Sequence, residues 1–371
     1  MTGMDKAGLY IHVPFCRRKC AYCDFFSVPS TGAVPRWLQA ISLEASLCRS
    51  FFSSFDTVYL GGGTPSFLAG KVLETLMDEV VSIFPVQPGA EITIEANPCD
   101  LDQRKIRLFQ RLGFNRISIG VQSFDDGILA FLGRFHDGGQ AEKALQSLRS
   151  LWSGSISVDL IYAVPGQSER LWLSSLEKAL SFEPDHLSCY QLSVEKGTRL
   201  QRLEAEGLRF PGEPLVSRLF VSTSDFLAAR GFLHYEVSNF AAGAGFRSRH
   251  NMKYWRHAPY LGLGPSAHSF DGTNRWWNVR SVRSYCRMLE TGGLPVAGKE
   301  MLGESDLRQE AVLLGLRTSE GIEAEMVADT VEAGIFLESC RRMGIVDLRG
   351  GRIVPTVKGL LMADHLALSL C

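Results

Sequence analysis

Between residues 9 and 192 the chain alternates six short β-rich runs with stretches of helical periodicity. The runs are LYIHV (9–13), TVYLG (57–61), EITIEA (91–96), RISIGV (116–121), ISVDLIY (156–162) and HLSCYQL (186–192). Segments 35–53, 69–84, 102–112, 139–152 and 168–181 carry apolar residues at i, i+3, i+4. PRWLQAISLEASLC opens with proline near a helix start, and FQRLGF places glycine where a helix stops. Strands separated by single helices pair in parallel through right-handed crossovers. Six of them over this span predict an α/β fold, a partial (β/α)6 barrel of TIM type. A flat doubly wound sheet shares the local pattern, and periodicity alone does not separate the two.

The placement of the unusual residues favours the barrel. Three cysteines follow the first strand, GGGTPS the second, EANP the third and GVQSF the fourth, with VDL inside the fifth. All fall at strand C-termini, the rim where barrels of this kind build their sites. One rim drawn from five strands implies a single large ligand assembly.

Whole-chain numbers bound what that assembly serves. The chain has 371 residues, 45% apolar and 21% charged, and a net charge of −1, so no global field favours nucleic acid or an anionic membrane. The apolar runs, ADHLALSLC among them, fall short of the roughly 18 residues a membrane span needs. The first residues lack a charged segment followed by an apolar one, so the expected location is cytoplasmic. Thiols there stay reduced. Cys48, Cys99, Cys189, Cys286, Cys340 and Cys371 then read as small buried hydrophobes or idle thiols.

Cys16, Cys20 and Cys23 differ, because they lie within eight residues. A structural zinc site needs four ligands, which His12 would have to complete. A C-x-x-C redox pair would use Cys20 and Cys23 and leave Cys16 idle. An iron–sulfur cluster uses all three thiolates and leaves one iron of a 4Fe–4S cube open.

The C-x-x-x-C-x-x-C spacing, with GGGTP after the next strand, resembles the motif pair of the radical S-adenosylmethionine (SAM) superfamily. There the open iron chelates the amino and carboxylate groups of SAM. YIHVPFCRRKCAYCDF, YLGGGTPS, IEANP, NRISIGVQSFD, LGRFH, DLIYAVPGQ and GLGPSAHSF are similar to the oxygen-independent coproporphyrinogen dehydrogenase family. YEVSNFA and RHNMKYW resemble its heme-chaperone branch. The likeness runs from residue 9 to about 270 and implies a radical SAM core over 1–240. A connecting segment, 241–298, carries the HNxxYW motif, and a C-terminal domain of that family's type covers 299–371.

The resemblance also implies roles. Cys16, Cys20 and Cys23 would hold the 4Fe–4S cluster. Gly62 and Gly63, with Gly61, would bring backbone close to the methionine end of SAM, and Thr64 would add a hydroxyl. Glu95, at the end of an apolar strand, would hold a polar part of SAM, and Tyr10 would contact it. Gln122, Arg134 and Asp159 match further SAM positions, with Arg134 suited to a carboxylate and Asp159 to ribose hydroxyls. His250 would ligate heme iron, with Tyr254 and Trp255 as flat faces. His186, His234, His257 and His268 compete for that role. A packed, hydrogen-bonded histidine is the alternative.

Two departures choose the branch. Asp24 and Phe25 stand where the dehydrogenase has a further cysteine, and only 15 residues precede Cys16. Both favour a heme chaperone, with heme as cargo, an apo-hemoprotein acceptor and an electron donor for the cluster. The alternative is a coproporphyrinogen III dehydrogenase decarboxylating porphyrinogen propionates. A homodimer, and peripheral association with respiratory membrane proteins, stay open.

Beyond residue 299, helical segments 303–318 and 331–343, a Gly-Gly hairpin in IVDLRGGRIVP and a helix at 356–369 predict a winged-helix-like domain. Its 8 Lys and Arg against 12 Asp and Glu give −4, the wrong sign for phosphate contacts. A lid or protein-docking role follows. AAGAGFRS (241–248) is rich in small residues and suits a gate beside His250.

Overall fold

A computed structural model describes residues 6–327 and 330–370. Cys371 lies outside the described residues, as do the first five residues of the expected core segment. Twelve strands form one sheet: β1 (Ala7–Val13), β2 (Phe55–Gly62), β3 (Val86–Ala96), β4 (Arg116–Gln122), β5 (Ser155–Tyr162), β6 (His186–Gln191), β7 (Leu233–Glu236), β8 (Asn239–Ala241), β9 (Tyr260–Leu263), β10 (His268–Phe270), β11 (Asn274–Asn278) and β12 (Val296–Met301). Their order is β12-β11-β10-β9-β1-β2-β3-β4-β5-β6-β8-β7. Strands β1 to β6 pair in parallel, and β9 joins β1 in parallel. The other pairings are antiparallel. All six expected strands are present, and the helices between them include Val34–Cys48, Gly70–Ile83, Gln103–Arg111, Gly138–Leu151 and Glu169–Leu180.

The strands alternate more strictly than their apolar character suggests. Leu9, Ile11 and Val13 of β1, Val58 and Leu60 of β2, Ile117 and Ile119 of β4, and Val158 and Leu160 of β5 are buried in one continuous core that includes Trp37, Leu73 and Trp172 of the helices. The intervening residues line an inner cavity: Tyr59 on β2, Thr93 and Glu95 on β3, Arg116 and Ser118 on β4, Ser157 and Asp159 on β5, His186 and Ser188 on β6. Period-2 alternation thus separates an apolar outside under helices from a polar inside.

The segment expected as a connection, 241–298, supplies β9 to β11 and most of the end of the sheet beyond β1. Its first part, 241–255, closes the N-terminal end of the parallel strands. Arg116 Nη1 donates to Phe246 O (2.9 Å), Ala242 N to Asp185 O (2.9 Å) and Ser248 N to Tyr235 Oη (3.2 Å). The helix Arg249–Trp255 starts on the buried Glu91 carboxylate, which accepts from Arg249 N (3.1 Å) and His250 N (2.9 Å). A carboxylate there satisfies two orphan amides and meets the positive helix end. The loop suggested as a gate is therefore pinned at both flanks, at the barrel end opposite the cysteines.

The C-terminal unit has helices Glu304–Gly315 and Val331–Arg342, a three-stranded sheet of Ile322–Glu323, Arg352–Pro355 and Val346–Arg349, and two final helices, matching the winged-helix-like expectation. It has its own core around Val312, Leu316, Ile353 and Leu366. It docks on the open sheet edge: Val237 N donates to Arg317 O (3.0 Å) and Ser319 N to Tyr235 O (2.9 Å). Glu320 pairs with Arg247 and Arg256. Among the described residues no helix is long and apolar enough to cross a membrane.

Candidate functional site

The cysteine loop leaves β1 and folds back on itself. Cys16 N donates to Val28 O (3.2 Å) and Val28 N to Pro14 O (2.7 Å). Ala21 N donates to Leu132 O (3.1 Å), and the glycine that follows, Gly133, caps its helix in the left-handed conformation (φ 75°). Both ring nitrogens of His12 are engaged, Nδ1 with Tyr10 Oη (3.0 Å) and Nε2 with Phe26 O (2.8 Å), so His12 packs under the loop rather than completing a zinc site. Among the described residues no three His, Cys, Asp or Glu side chains converge on a single ion. Each thiolate of a cubane binds a different iron, so convergence on one point is not required.

The glycines fix this loop to the exit of β2. A Cβ on Gly62 (φ 105°) would stand 2.5 Å from the His12 ring, and one on Gly63 would stand 2.7 Å from Phe15 O. Gly63 N and Thr64 N donate to Val13 O and Phe15 O, each at 2.8 Å. Close packing of two loops thus demands glycine here.

A cavity of about 520 Å³ opens at this rim. Its wall holds Cys16, Cys20, Cys23, Gly62, Gly63, Thr64, Glu95, Gln122, Arg134 and Asp159, ten of the twelve residues singled out from the sequence. Thr64 Oγ1 donates to Cys16 Sγ (3.7 Å), and Arg134 Nη1 to Cys20 Sγ (3.4 Å). Burial raises the Cys16 thiol and pushes Cys23 up to about 11, so without metal these thiols hold their protons. Glu95 accepts from Tyr59 Oη (2.8 Å) and Gly62 N (3.1 Å). Burial, with Asp159 adding to it, pushes Glu95 up to about 7. Burial likewise lifts Asp159 to about 6, although Ser118 Oγ lies 3.0 Å from both its oxygens.

Several polar atoms here lack a protein partner: Thr93 Oγ1, Gln122 Oε1 and Arg134 Nε. Gln122 also holds φ 67°, a cost that non-glycine residues bear mostly at functional sites. Unpaired donors and acceptors, three thiols and two half-buried carboxylates fit a polar, zwitterionic ligand beside a metal cluster.

Tyr10 and His250 lie off this wall. Tyr10 packs on Tyr59 with ring centroids 6.1 Å apart. His250 is buried, with Nδ1 on Thr57 Oγ1 (2.9 Å) and Nε2 on Tyr254 Oη (2.9 Å), and it stacks on Tyr59 at 5.0 Å. Burial depresses its protonation to about 3. Both nitrogens are occupied, so this conformation offers none to iron; the HNMKYW motif forms a packed cluster. Sequence reasoning missed Cys99, expected to be idle, which is exposed on the cavity wall, and also Tyr59, Thr93 and Ser118. The period-2 pattern on β2 to β4 was the available signal for the last three.

The radical SAM superfamily profile matches residues 10–179. The structure is similar to coproporphyrinogen III oxidase (HemN) from Escherichia coli, with a TM-score of 0.84 at 22% identity over 99% of this chain and 90% of that one. Fold and cysteine loop together define a radical SAM protein, a class that implies a 4Fe–4S cluster and SAM. The chain is 38% identical to heme chaperone HemW of Mycobacterium tuberculosis (strain CDC 1551 / Oshkosh), over 98% of this chain and 94% of that one. It is 33% identical to heme chaperone HemW of Bacillus subtilis (strain 168), over 96% and 97%. It belongs to the HemW family.

Proposed function

We propose that this protein binds heme and passes it to apo-hemoproteins, from a radical SAM core that retains its cofactor sites. Near-full-length similarity to proteins named heme chaperone HemW carries this reading. Asp24 and Phe25 after the third cysteine support it. Cys16, Cys20 and Cys23 would hold the 4Fe–4S cluster, and Gly62, Gly63, Thr64, Glu95, Gln122, Arg134 and Asp159 would hold SAM. When bound, the cluster would supply the electron for reductive chemistry on SAM. The chain's part is to orient and shield. Arg134 suits the SAM carboxylate, Asp159 the ribose, and the raised carboxyls of Glu95 and Asp159 reduce the negative charge of the cavity wall. Residues 1–240 form the core in this reading, 241–298 complete it, and 299–371 present a docking surface to the acceptor.

Anaerobic reconstitution with iron and sulfide, then parallel assays, tests this. One assay offers hemin followed by an apo-hemoprotein; the other offers coproporphyrinogen III, SAM and a reductant. Heme uptake and transfer without CO₂ release is the expected result. CO₂ released in step with deoxyadenosine would overturn it in favour of the dehydrogenase.

A further inference from the structure

We propose that His268 is the heme-iron ligand, on a shelf formed by β10, β11 and the cysteine loop, with Arg280 receiving a propionate. The proposal rests on the heme-binding reading above and names where on the protein the cargo sits.

The eight histidines differ in what their ring nitrogens can do. His12, His186 and His250 are buried with both nitrogens hydrogen-bonded. His136 is buried against Val121 O (2.9 Å). His234 is bonded to Ser224 Oγ (3.0 Å) and Val237 O (3.3 Å). His257 is held by Glu310 (3.0 Å) and stacked on Phe270. Two are exposed, His268 and His365. His365 belongs to the C-terminal unit, whose net charge of −4 over 299–371 repels a dianionic porphyrin.

His268 has the surroundings a heme needs. It pairs in register with Trp277 on β11, which puts both side chains on one face of the sheet. Trp277 in turn opposes Gly298 on β12, and a Cβ there would fall 2.4 Å from the indole ring. The missing side chain lets the indole lie flat across β12. The imidazole stacks on that indole, with centroids 5.9 Å apart and planes 26° apart. Iron bound by an imidazole lies in the ring plane, so a porphyrin stands across it. Trp277 is then a positioning residue, fixing the plane in which the free nitrogen points outward. Partial burial, then the charges of Arg275 and Arg280, favour the neutral imidazole, the form that ligates iron.

Arg280 joins this shelf to the cluster loop. Its Nη2 donates to Asp24 O (3.2 Å), one residue beyond Cys23, and lies 4.0 Å from the Asp24 carboxylate. Its side chain is 61% exposed, which leaves donors for a carboxylate. Phe25, the next residue, is 65% exposed, an apolar ring on the rim of the cavity described above.

The test is hemin titration of the full-length reconstituted protein, read by Soret absorbance and by resonance Raman of the axial ligand. His268→Ala should lose the histidine-ligation signature and weaken binding at least tenfold, while His250→Ala and His365→Ala keep both. His268→Cys should move the spectrum to the thiolate type. Arg280→Ala should weaken binding several-fold with the ligand signature unchanged. Retained cluster iron after reconstitution controls for folding of each variant. If the wild type binds hemin but His268→Ala keeps the histidine signature, the assignment falls and the chaperone reading stands. Ligation by another group in the wild type, such as the Cys99 thiolate, overturns it equally. If the wild type binds no hemin, the chaperone reading itself fails.

Discussion

The two ends of the barrel use the same kinds of residue in opposite ways. At the N-terminal end the polar groups that close the barrel are mostly paired: Glu91 caps a helix, Thr57 holds His250, and Arg116 holds the Phe246 carbonyl, while Arg247 Nε is left without a hydrogen-bond partner. Toward the C-terminal end, Gln122 and Arg134 keep unpartnered atoms, as does Thr93 lower in the cavity, Gln122 bears a strained backbone, and burial raises two carboxyls. Buried polar groups without partners cost stability, so a fold tolerates them where a ligand will complete them. One end closes the structure, and the other waits for its contents.

The largest effect should follow removal of the cysteines. Cys16→Ala, Cys20→Ala or Cys23→Ala should each bring iron retained after reconstitution close to zero, while the unfolding midpoint of the apo-protein barely moves. A variant retaining full cluster iron would remove the trio from the site. At the opposite end the pattern should invert. Glu91→Ala leaves two amides of the Arg249–Trp255 helix without this acceptor, the His250 one buried and the Arg249 one partly so, at a cost of about 3 kcal/mol in denaturant unfolding. Reconstitution of the surviving folded fraction should be normal. An unchanged midpoint would mean that the 241–255 segment is held by its other contacts.

How much of this was legible in the sequence divides along the same line. The six strands and the helices between them follow from apolar runs and periodicity, and the rim residues from their place at strand ends. Periodicity alone does not separate barrel from flat sheet, and the placement of the rim residues favours the barrel; the alternation within the strands points the same way. Taken every second residue, β3 gives Glu91, Thr93 and Glu95, and β4 gives Arg116, Ser118, Gly120 and Gln122. A sheet covered by helices on both faces could not bury that series, whereas a barrel interior can. The surroundings of His250 are illegible in the sequence for a different reason. Its partners Thr57 and Tyr254, and Glu91 on its amide, come from three elements, and whether a ring nitrogen is free is decided by such long-range contacts. His268 and Trp277 are likewise joined only by strand register.

A smaller effect concerns protonation. The Glu95 carboxyl is raised from about 4.5 to about 7, so between those values the folded state holds a proton that the unfolded state has lost. Its contribution to stability therefore falls as pH rises through this window. The buried histidines, with lowered values, act with the opposite sign, so the clean measure is the difference between wild type and Glu95→Gln. That difference should grow in favour of the variant from pH 4.5 to pH 7, by about 2 kcal/mol given the open cavity. A difference independent of pH would mean that Glu95 is ionised throughout, held by something other than its burial and Tyr59.

The smallest effect isolates the comparison most directly. Thr57 and Thr93 sit on adjacent inward-facing strands, and neither is exposed. Thr57 Oγ1 shares a hydrogen bond with His250, whereas Thr93 Oγ1 has no partner. Replacing each hydroxyl by a methyl removes similar mass from similar surroundings, so the difference between the two variants reports the hydrogen bond. Thr57→Val strands the His250 Nδ1 atom and should cost about 1 to 2 kcal/mol. Thr93→Val relieves an unpaired hydroxyl and should be neutral or slightly stabilising in the apo-protein. On loading with SAM the order should reverse: Thr57→Val binds as the wild type does, and Thr93→Val binds more weakly. Equal destabilisation of the apo-protein by both would show that Thr93 is already satisfied, by water if not by protein. The cavity would then be a solvated interior, with no unmet polar demand for a ligand to complete.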